Sequence, residues 1–314
     1  MNTRTSLADP VDTVVARIQA TYAHWGRHTT VAQMRADWES LFNTNDNASV
    51  TPAVANGVPC QWVQASGSIN DRTIVYFHGG GFQVGSLLSH RELMVGLSEA
   101  SGARVLGVDY RMTPEHRYPA PVEDGLAVMN WLQEQGILGR RLAVAGDSAG
   151  GGLALAVLLA MQRHGHPRPA AGFVMSAWTD MTASGTSYDT RSALDPIHQR
   201  PMMLALARNY LGKTQDPAEP LASPMLATPH AMAGLPPLLL QVGERETLVS
   251  DSEDFALRVR NAGGHAECQI WPRMIHVFQQ YPTDLPEAKH ALAAAGDFLA
   301  THLGLTNALR RIPT

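Results

Sequence analysis

The chain predicts an α/β fold, a mostly parallel central sheet with helices on both faces, and three observations carry that prediction. From Thr73 to Trp178, strand-like apolar runs alternate with helix-length segments in a β, α, β order, the pattern of parallel strands joined by crossover helices. The run TIVYF at 73–77 is β-branched and aromatic, as a buried strand should be. The apolar run Leu142–Ala145 ends at Gly146-Asp147-Ser148-Ala149-Gly150 and is followed by LALAVLLAMQ, which has the length and composition of a buried helix. That last unit reads as strand, sharp turn, helix, with a serine hydroxyl exposed at the helix N-terminus.

A length of 314 residues accommodates one large α/β domain or two smaller ones. The formal net charge of −4 lacks the basic footprint that nucleic acid or an anionic membrane requires, so neither is expected as a partner. Cys60 and Cys268 have no CxxC spacing and read as packing residues of a protein in a reducing compartment, without a disulfide framework. The N-terminal MNTRTSLADPVDTVV holds no apolar signal core, and no later run spans a membrane uninterrupted. The expectation is a cytoplasmic, enzyme-sized protein.

In chain order, apolar positions at helical spacing (Val11, Val14, Val15, Ile18, then Met34, Trp38, Leu41) predict two amphipathic helices interrupted at Gly26–Thr30. Asn43–Asn47 reads as a turn-rich linker and VPCQWVQA as the first strand, ahead of a turn at Gly67–Asp71. TIVYF then runs into His78-Gly79-Gly80-Gly81-Phe82. Three consecutive glycines are costly in conformational entropy, and they suit a backbone that must expose its N–H groups, as an oxyanion hole does. A flexible turn or a nucleotide loop are the rival readings; Val84 stands where GxGxxG needs its third glycine, and no Gly-Lys-Ser/Thr follows. Ser89–Ala100 is a predicted helix, RVLGVDY a strand and Pro119–Gln135 a helix with proline in its entry turn. In the loop between the last two, Arg111 and Glu115 read as an internal ion pair, and His116 of that loop, like His90 of the preceding helix, as a surface or satisfied histidine. After the serine unit, GFVMSAW is a strand, and residues 181–224 form an insertion over the sheet with one helix, PMMLALARNYL. LLLQVG, the segment Ser250–Ala262, Glu267–Trp271 and Glu287–His302 complete the pattern as strand, helix, strand, helix.

A serine hydroxyl needs a histidine to take its proton and an acid to orient that imidazole. In the order Ser, acid, His, the strand-end loops after Ser148 offer Glu244 or Glu246 and then His276. The loops carrying His78, Ser148, Glu246 and His276 would meet at the carboxyl ends of parallel strands, where open sheets bind ligands. Of the thirteen histidines, His164 and His166 flank a glycine beyond a helix and His302 lies within one. Without HExxH or a third ligand nearby, no metal site is expected.

With HGGGF, GDSAGG and the C-terminal histidine loop in hand, the chain closely resembles the hormone-sensitive-lipase-like (bacterial family IV) esterases of the α/β-hydrolase superfamily. The resemblance runs from about residue 60 to the last helix. It includes DYRMTPEHRYPAPVEDG, and SAWTDMT, LASPM, LPPLLLQVGERE and WPRMIHVF look like the branch of small bacterial esterases and lactone hydrolases. It implies an α/β-hydrolase core at 46–179 and 225–314 and a helical cap at 1–45 and 180–224, covering the acyl and alcohol pockets. Carried over residue by residue, it makes Ser148 the nucleophile, His276 the base and Glu246, 30 residues upstream, the acid. Most relatives carry Asp at that position, and the longer Glu needs its backbone set back or another rotamer; Asp251 and Glu244 are the fallbacks. The N–H groups of Gly80, Gly81 and Ala149 would form the oxyanion hole, Gly79 would support the turn and His78 would shape the loop. Phe82, Trp178, Met202 and Met203 would line an apolar pocket or simply pack the core. The implied activity is cofactor-free hydrolysis of short- to medium-chain esters through an acyl-enzyme. Lactone or amide (acetyl) hydrolysis uses the same machinery, and a non-catalytic small-molecule receptor is the alternative of another class. A homodimer is implied by the resemblance alone.

Overall fold

The computed structural model describes residues 9–43 and 47–305. The middle of the expected Asn43–Asn47 linker lies outside the described residues, as do the outermost residues of the 1–45 and 225–314 segments. Helices α1 (Pro10–Ala23) and α2 (Val31–Glu39) precede β1 (Ala48–Ala55), β2 (Val58–Ala65) and β3 (Ile69–Phe77). Helix and strand then alternate through α3 (Arg91–Ser101), β4 (Ala103–Val108), α4 (Ala120–Glu134), β5 (Leu142–Asp147), α5 (Ser148–Arg163) and β6 (Ala171–Met175). Helices α6 (Ser187–Thr190), α7 (Arg200–Leu211) and α8 (Pro229–Ala233) lead into β7 (Leu238–Gly243), α9 (Val249–Asn261), β8 (Ala266–Trp271) and α10 (Pro286–Leu303).

The strands form one eight-stranded sheet in the order β1-β2-β4-β3-β5-β6-β7-β8. β2 pairs antiparallel with β1 and β4, and every other pairing is parallel. The carboxyl ends of β3, β5, β7 and β8 therefore open on one edge, and the loops that follow them converge there. This is an α/β-hydrolase fold. Successive residues of β3 feed opposite faces, as a pleated strand must. Val75 and Phe77 join the core under α4, α5 and α9, while Ile74 and Tyr76 join the core under α3 and α10.

Helix α1 buries the predicted stripe of Val11, Val14, Val15 and Ile18 against Met274, Ile275, Phe278 and Tyr281. Each such side chain contributes about 1.5–3 kcal/mol over an exposed one, so α1 is seated firmly on the loop that carries His276.

Some expectations are corrected. VPCQWVQA is the second strand: residues 48–55 pair with it across a two-residue turn at Asn56-Gly57, both at positive φ, the backbone that a type I′ hairpin requires. β1 is an edge strand, which is why it tolerates Pro52. β3 begins at Ile69, within the expected turn, with a register irregularity between Ile69 and Thr73. β6 stops at Met175 because Ser176 turns to φ 47°, and the expected single insertion helix α7 is accompanied by the short α6 and, just beyond, α8. Arg111 and Glu115 do not pair. Arg111 binds Asp124 and Glu123, and Glu115 binds Arg35 of α2. His90 is buried, with Nδ1 2.9 Å from Ser89 Oγ, whereas His116 is exposed.

Candidate active site

The site begins with the turn between β5 and α5. Ser148 adopts φ 52°, a left-handed conformation costly for a residue with a Cβ. The helix and strand can approach this closely because neighbouring positions lack side chains: a Cβ on Gly150 would stand 2.2 Å from the Phe77 carbonyl oxygen. As the first residue of α5, Ser148 lies where free backbone N–H groups and the helix dipole favour developing negative charge.

Asp147, fully buried, ties this turn to the glycine loop. Its Oδ1 accepts hydrogen bonds from Tyr76 Oη (2.5 Å) and the Gly79 N–H (2.9 Å), and its Oδ2 faces His90 Nε2 at 3.4 Å. Burial alone would raise the Asp147 pKa; His90 and the Tyr76 hydrogen bond outweigh it and hold the carboxyl below its ordinary value. Gly80 (φ 113°) and Gly81 (φ 61°) take conformations open to glycine, and the Gly80 carbonyl accepts the Gln83 and Val84 N–H groups. Buried His78 donates from Nδ1 to the Gly79 carbonyl and stacks on Tyr110 at 4.5 Å. Desolvation, reinforced by His90, depresses its pKa to about 3. It braces the loop and does not line the cavity.

From β8 comes the loop 272–278, and from β7 the loop 244–248. They are joined by backbone bonds from Glu244 N to Trp271 O and from Arg245 N to Met274 O. Ser148 Oγ lies 2.8 Å from His276 Nε2, and His276 Nδ1 lies 2.7 Å from Glu246 Oε2. The Glu246 carboxylate is wholly buried and curls back over its own turn, so that Oε1 accepts the Gly243 N–H and, at 2.7 Å, the Ser176 hydroxyl. Ser176 Oγ in turn accepts the Val277 N–H at 3.0 Å, linking the acid to the backbone beside His276. Burial pulls the His276 pKa down, but the charge and hydrogen bond of Glu246 prevail and raise it above the ordinary imidazole value. The longer Glu side chain thus reaches the imidazole by folding onto Gly243.

Neither fallback acid approaches His276. Asp251 accepts the N–H groups of Thr179 and Asp180, and desolvation raises its pKa to about 7. Glu244 accepts the Arg273 N–H. His166 bonds Gln133 and His302 the Phe298 carbonyl. Among the described residues no group of three His, Cys, Asp or Glu is arranged to hold a metal ion.

Ser148, His276, Gly80 and Gly81 open on a largely apolar cavity, part of it continuous with solvent. Ile18, Tyr22, Trp25 and Trp38 contribute from the N-terminal helices, and Met202, Met203 and Leu206 from α7. Trp178 and Met202 line it; Ala149, next to Ser148 in the chain, is fully buried and does not line it. Phe82 does not line it: its ring lies flat on Tyr210 with centroids 3.7 Å apart, in the core. Two contributors escaped sequence reasoning. Buried Asp195 accepts the N–H groups of Ile197 and His198 on Oδ1 and that of Thr247 on Oδ2, joining the insertion to the acid loop. His198 lines the cavity beside His276. The Asp195-Pro196 pair was a readable turn signal for the first; nothing in the sequence marked the second.

Residues 74–280 match a protein family described as having the alpha/beta hydrolase fold. An acetyl-hydrolase of Streptomyces hygroscopicus is 41% identical over 244 residues, 78% of this chain and 80% of that protein. An esterase of Acinetobacter venetianus is 33% identical over 265 residues, 84% of this chain and 86% of that protein. Among solved structures, an esterase from the bacterial hormone-sensitive lipase family superposes with a TM-score of 0.89 at 39% identity, covering 96% of this chain and all of that one.

Proposed function

The chain belongs to the hormone-sensitive-lipase-like esterases of the α/β-hydrolase fold, and from that premise we propose that it hydrolyses short- to medium-chain carboxylic esters through an acyl-enzyme on Ser148. It is a carboxylic ester hydrolase. The observation that carries the proposed chemistry is the unbroken chain of hydrogen bonds from Ser148 Oγ through both nitrogens of His276 to Glu246.

In this reading His276 takes the Ser148 proton as the hydroxyl attacks the ester carbonyl, and then gives it to the leaving alcohol. Glu246 fixes the tautomer that puts the lone pair on Nε2 and stabilises the transient imidazolium. The oxyanion is received by the N–H groups of Gly80, Gly81 and Ala149, donors whose individual loss in related chemistry costs about 10²–10³ in rate. Water, activated by His276, then releases the acid. Residues 1–45 and 180–224 act as the cap: α1, α2 and α7 all contribute to the cavity, and its apolar lining supports modest acyl groups.

A fluorophosphonate probe tests the nucleophile: it should label the wild type and leave Ser148→Ala unlabelled, and equal labelling of the two overturns the assignment. The acetyl-hydrolase relative favours a second reading, removal of an acetyl group from an ester or amide. Rates on p-nitrophenyl acetate, butyrate and octanoate, an acetamide and a lactone separate the readings, and inertness toward all of them would favour a receptor. No described helix is long and apolar enough to cross a membrane, and free Cys60 and Cys268 support a reducing, cytoplasmic location. Family likeness supports a homodimer, which light scattering tests.

A further inference from the structure

His198 stands in the cavity wall with its ring centroid 4.2 Å from that of His276, at an interplanar angle of 64°. Its backbone is pinned by Asp195, which also holds the acid loop through Thr247, so the ring keeps a fixed position relative to His276. The ring is buried, and Nδ1 has no hydrogen-bond partner.

An orphaned donor costs more than an orphaned acceptor in a buried site, because an acceptor lone pair is the more tolerably left unpaired. With nothing for Nδ1 to donate to, the favoured neutral tautomer carries its proton on Nε2. Desolvation and the neighbouring His276 outweigh the attraction of Asp195 and hold the His198 pKa down to about 3, so the ring is neutral at working pH. The cavity wall beside His276 therefore contains a neutral N–H donor among otherwise mainly apolar side chains.

During acyl transfer the leaving oxygen must face His276 Nε2, which protonates it. Whatever the alcohol part carries next to that oxygen is thereby brought alongside His276, within reach of the ring packed edge-to-face against it. We propose that His198 is a specificity-determining residue that donates a hydrogen bond to a second oxygen on the leaving alcohol. It thereby favours esters of glycols, glycerol and similar polyols over esters of plain alkanols. This rests on the acyl-enzyme reading above and deepens it: the proposed triad performs the chemistry, and His198 selects the alcohol.

The experiment compares kcat/KM for 2-hydroxyethyl butyrate and for its isostere propyl butyrate, in wild type, His198→Leu and His198→Asn. One hydrogen bond contributes about 0.5–1.5 kcal/mol, so the wild type should prefer the hydroxyethyl ester by roughly 2- to 12-fold. His198→Leu should bring the ratio to about one, and His198→Asn, which restores a short N–H donor, should recover part of it. A purely structural role for His198 would lower both rates in parallel and leave the ratio unchanged, and that result overturns the proposal, as does a wild type without preference. Fluorophosphonate labelling of each variant reports whether its site is assembled; if Leu fails to label, His198→Phe, which keeps a ring and removes the donor, takes its place, a ratio near one supporting the donor role and an unchanged wild-type ratio rejecting it. Failure of the underlying reading looks different: wild type and Ser148→Ala would hydrolyse both esters alike, or neither protein would hydrolyse either.

Discussion

Glu246 reaches His276 only because its carboxylate is held from three sides, by the Gly243 N–H, the Ser176 hydroxyl and the His276 ring. A buried carboxylate with its lone pairs filled in this way has a defined rotamer, and the imidazole inherits that definition. Glu246→Gln removes the charge and weakens the preference for the productive tautomer, so kcat should fall on the order of 10³–10⁴, by analogy with the same change in a serine protease triad. The pH dependence follows from the sign of the His276 shift. As the proposed base His276 works only when neutral, and its pKa is raised above the ordinary 6.5, chiefly by Glu246 acting against burial. In the wild type kcat/KM should therefore decline as pH drops through a value above 6.5. In Glu246→Gln that acid limb should move to lower pH. Asp251→Asn, by contrast, alters a carboxyl group that bonds the Thr179 and Asp180 N–H groups and the Thr179 hydroxyl, none of them a partner of His276, and kcat and the acid limb should stay where they are. Full pH–rate profiles of both variants check this, and a collapse of kcat in Asp251→Asn with little change in Glu246→Gln would move the acid role.

At the scale of elements, the junction of β3, β5 and α5 sets how far the glycine loop stands from Ser148. Here the backbone of α5 touches that of β3 directly: the Gly150 position lies 2.2 Å from the Phe77 carbonyl oxygen and 2.3 Å from that of His78, measured from an added Cβ. Gly150→Ala must part helix from strand, and His78 leads straight into the proposed oxyanion donors. It should cost about 1–3 kcal/mol of stability, the usual penalty of overpacking, and lower kcat more than it raises KM. Gly26→Ala, where an added Cβ meets nothing within 4 Å, is the control; denaturant titration and steady-state kinetics on both give the comparison. The same junction explains what was readable beforehand. Buried parallel strands announce themselves as apolar runs, and strand-end loops place Ser148, Glu246 and His276 in a recognisable chain order. β1 escaped because an exposed edge strand with Pro52 carries no such run, although Asn56-Gly57 was a hairpin signal in plain view. Ser176, Asp195 and His198 act through contacts between loops far apart in the chain, and Glu115 was mispaired because its partner, Arg35, lies 80 residues away. Such pairings exist only once the sheet has brought the loops together.

The molecule as a whole divides the cavity between a stiff floor and walls held with unequal strength. α1 is anchored by four buried apolar side chains on the His276 loop, whereas α2 buries none of its residues completely. What fixes α2 is largely Arg35, which donates to the carbonyls of Gln83 and Thr113 and forms a bidentate pair with Glu115, helped by the contact of Glu39 with Ser86. The ion pair is half open to water, with Glu115 52% exposed, so it adds little; the two carbonyl bonds, charge-assisted and part-buried, carry most of the anchoring. Trp38 of α2 lines the cavity, so, if the acyl chain of the proposed substrate lies on this side, the position of this one helix sets how closely it is enclosed. Arg35→Ala should release α2 without touching the residues around Ser148. A loss of about 1 kcal/mol of apolar enclosure corresponds to roughly a 5-fold rise in KM, and it should grow from p-nitrophenyl acetate to octanoate while kcat stays near wild type. Amide hydrogen exchange should quicken across Val31–Glu39 and remain unchanged in α5. A uniform fall in kcat across the series, with exchange in α2 unaltered, would mean that Arg35 serves the glycine loop through Gln83 and not the wall that α2 forms.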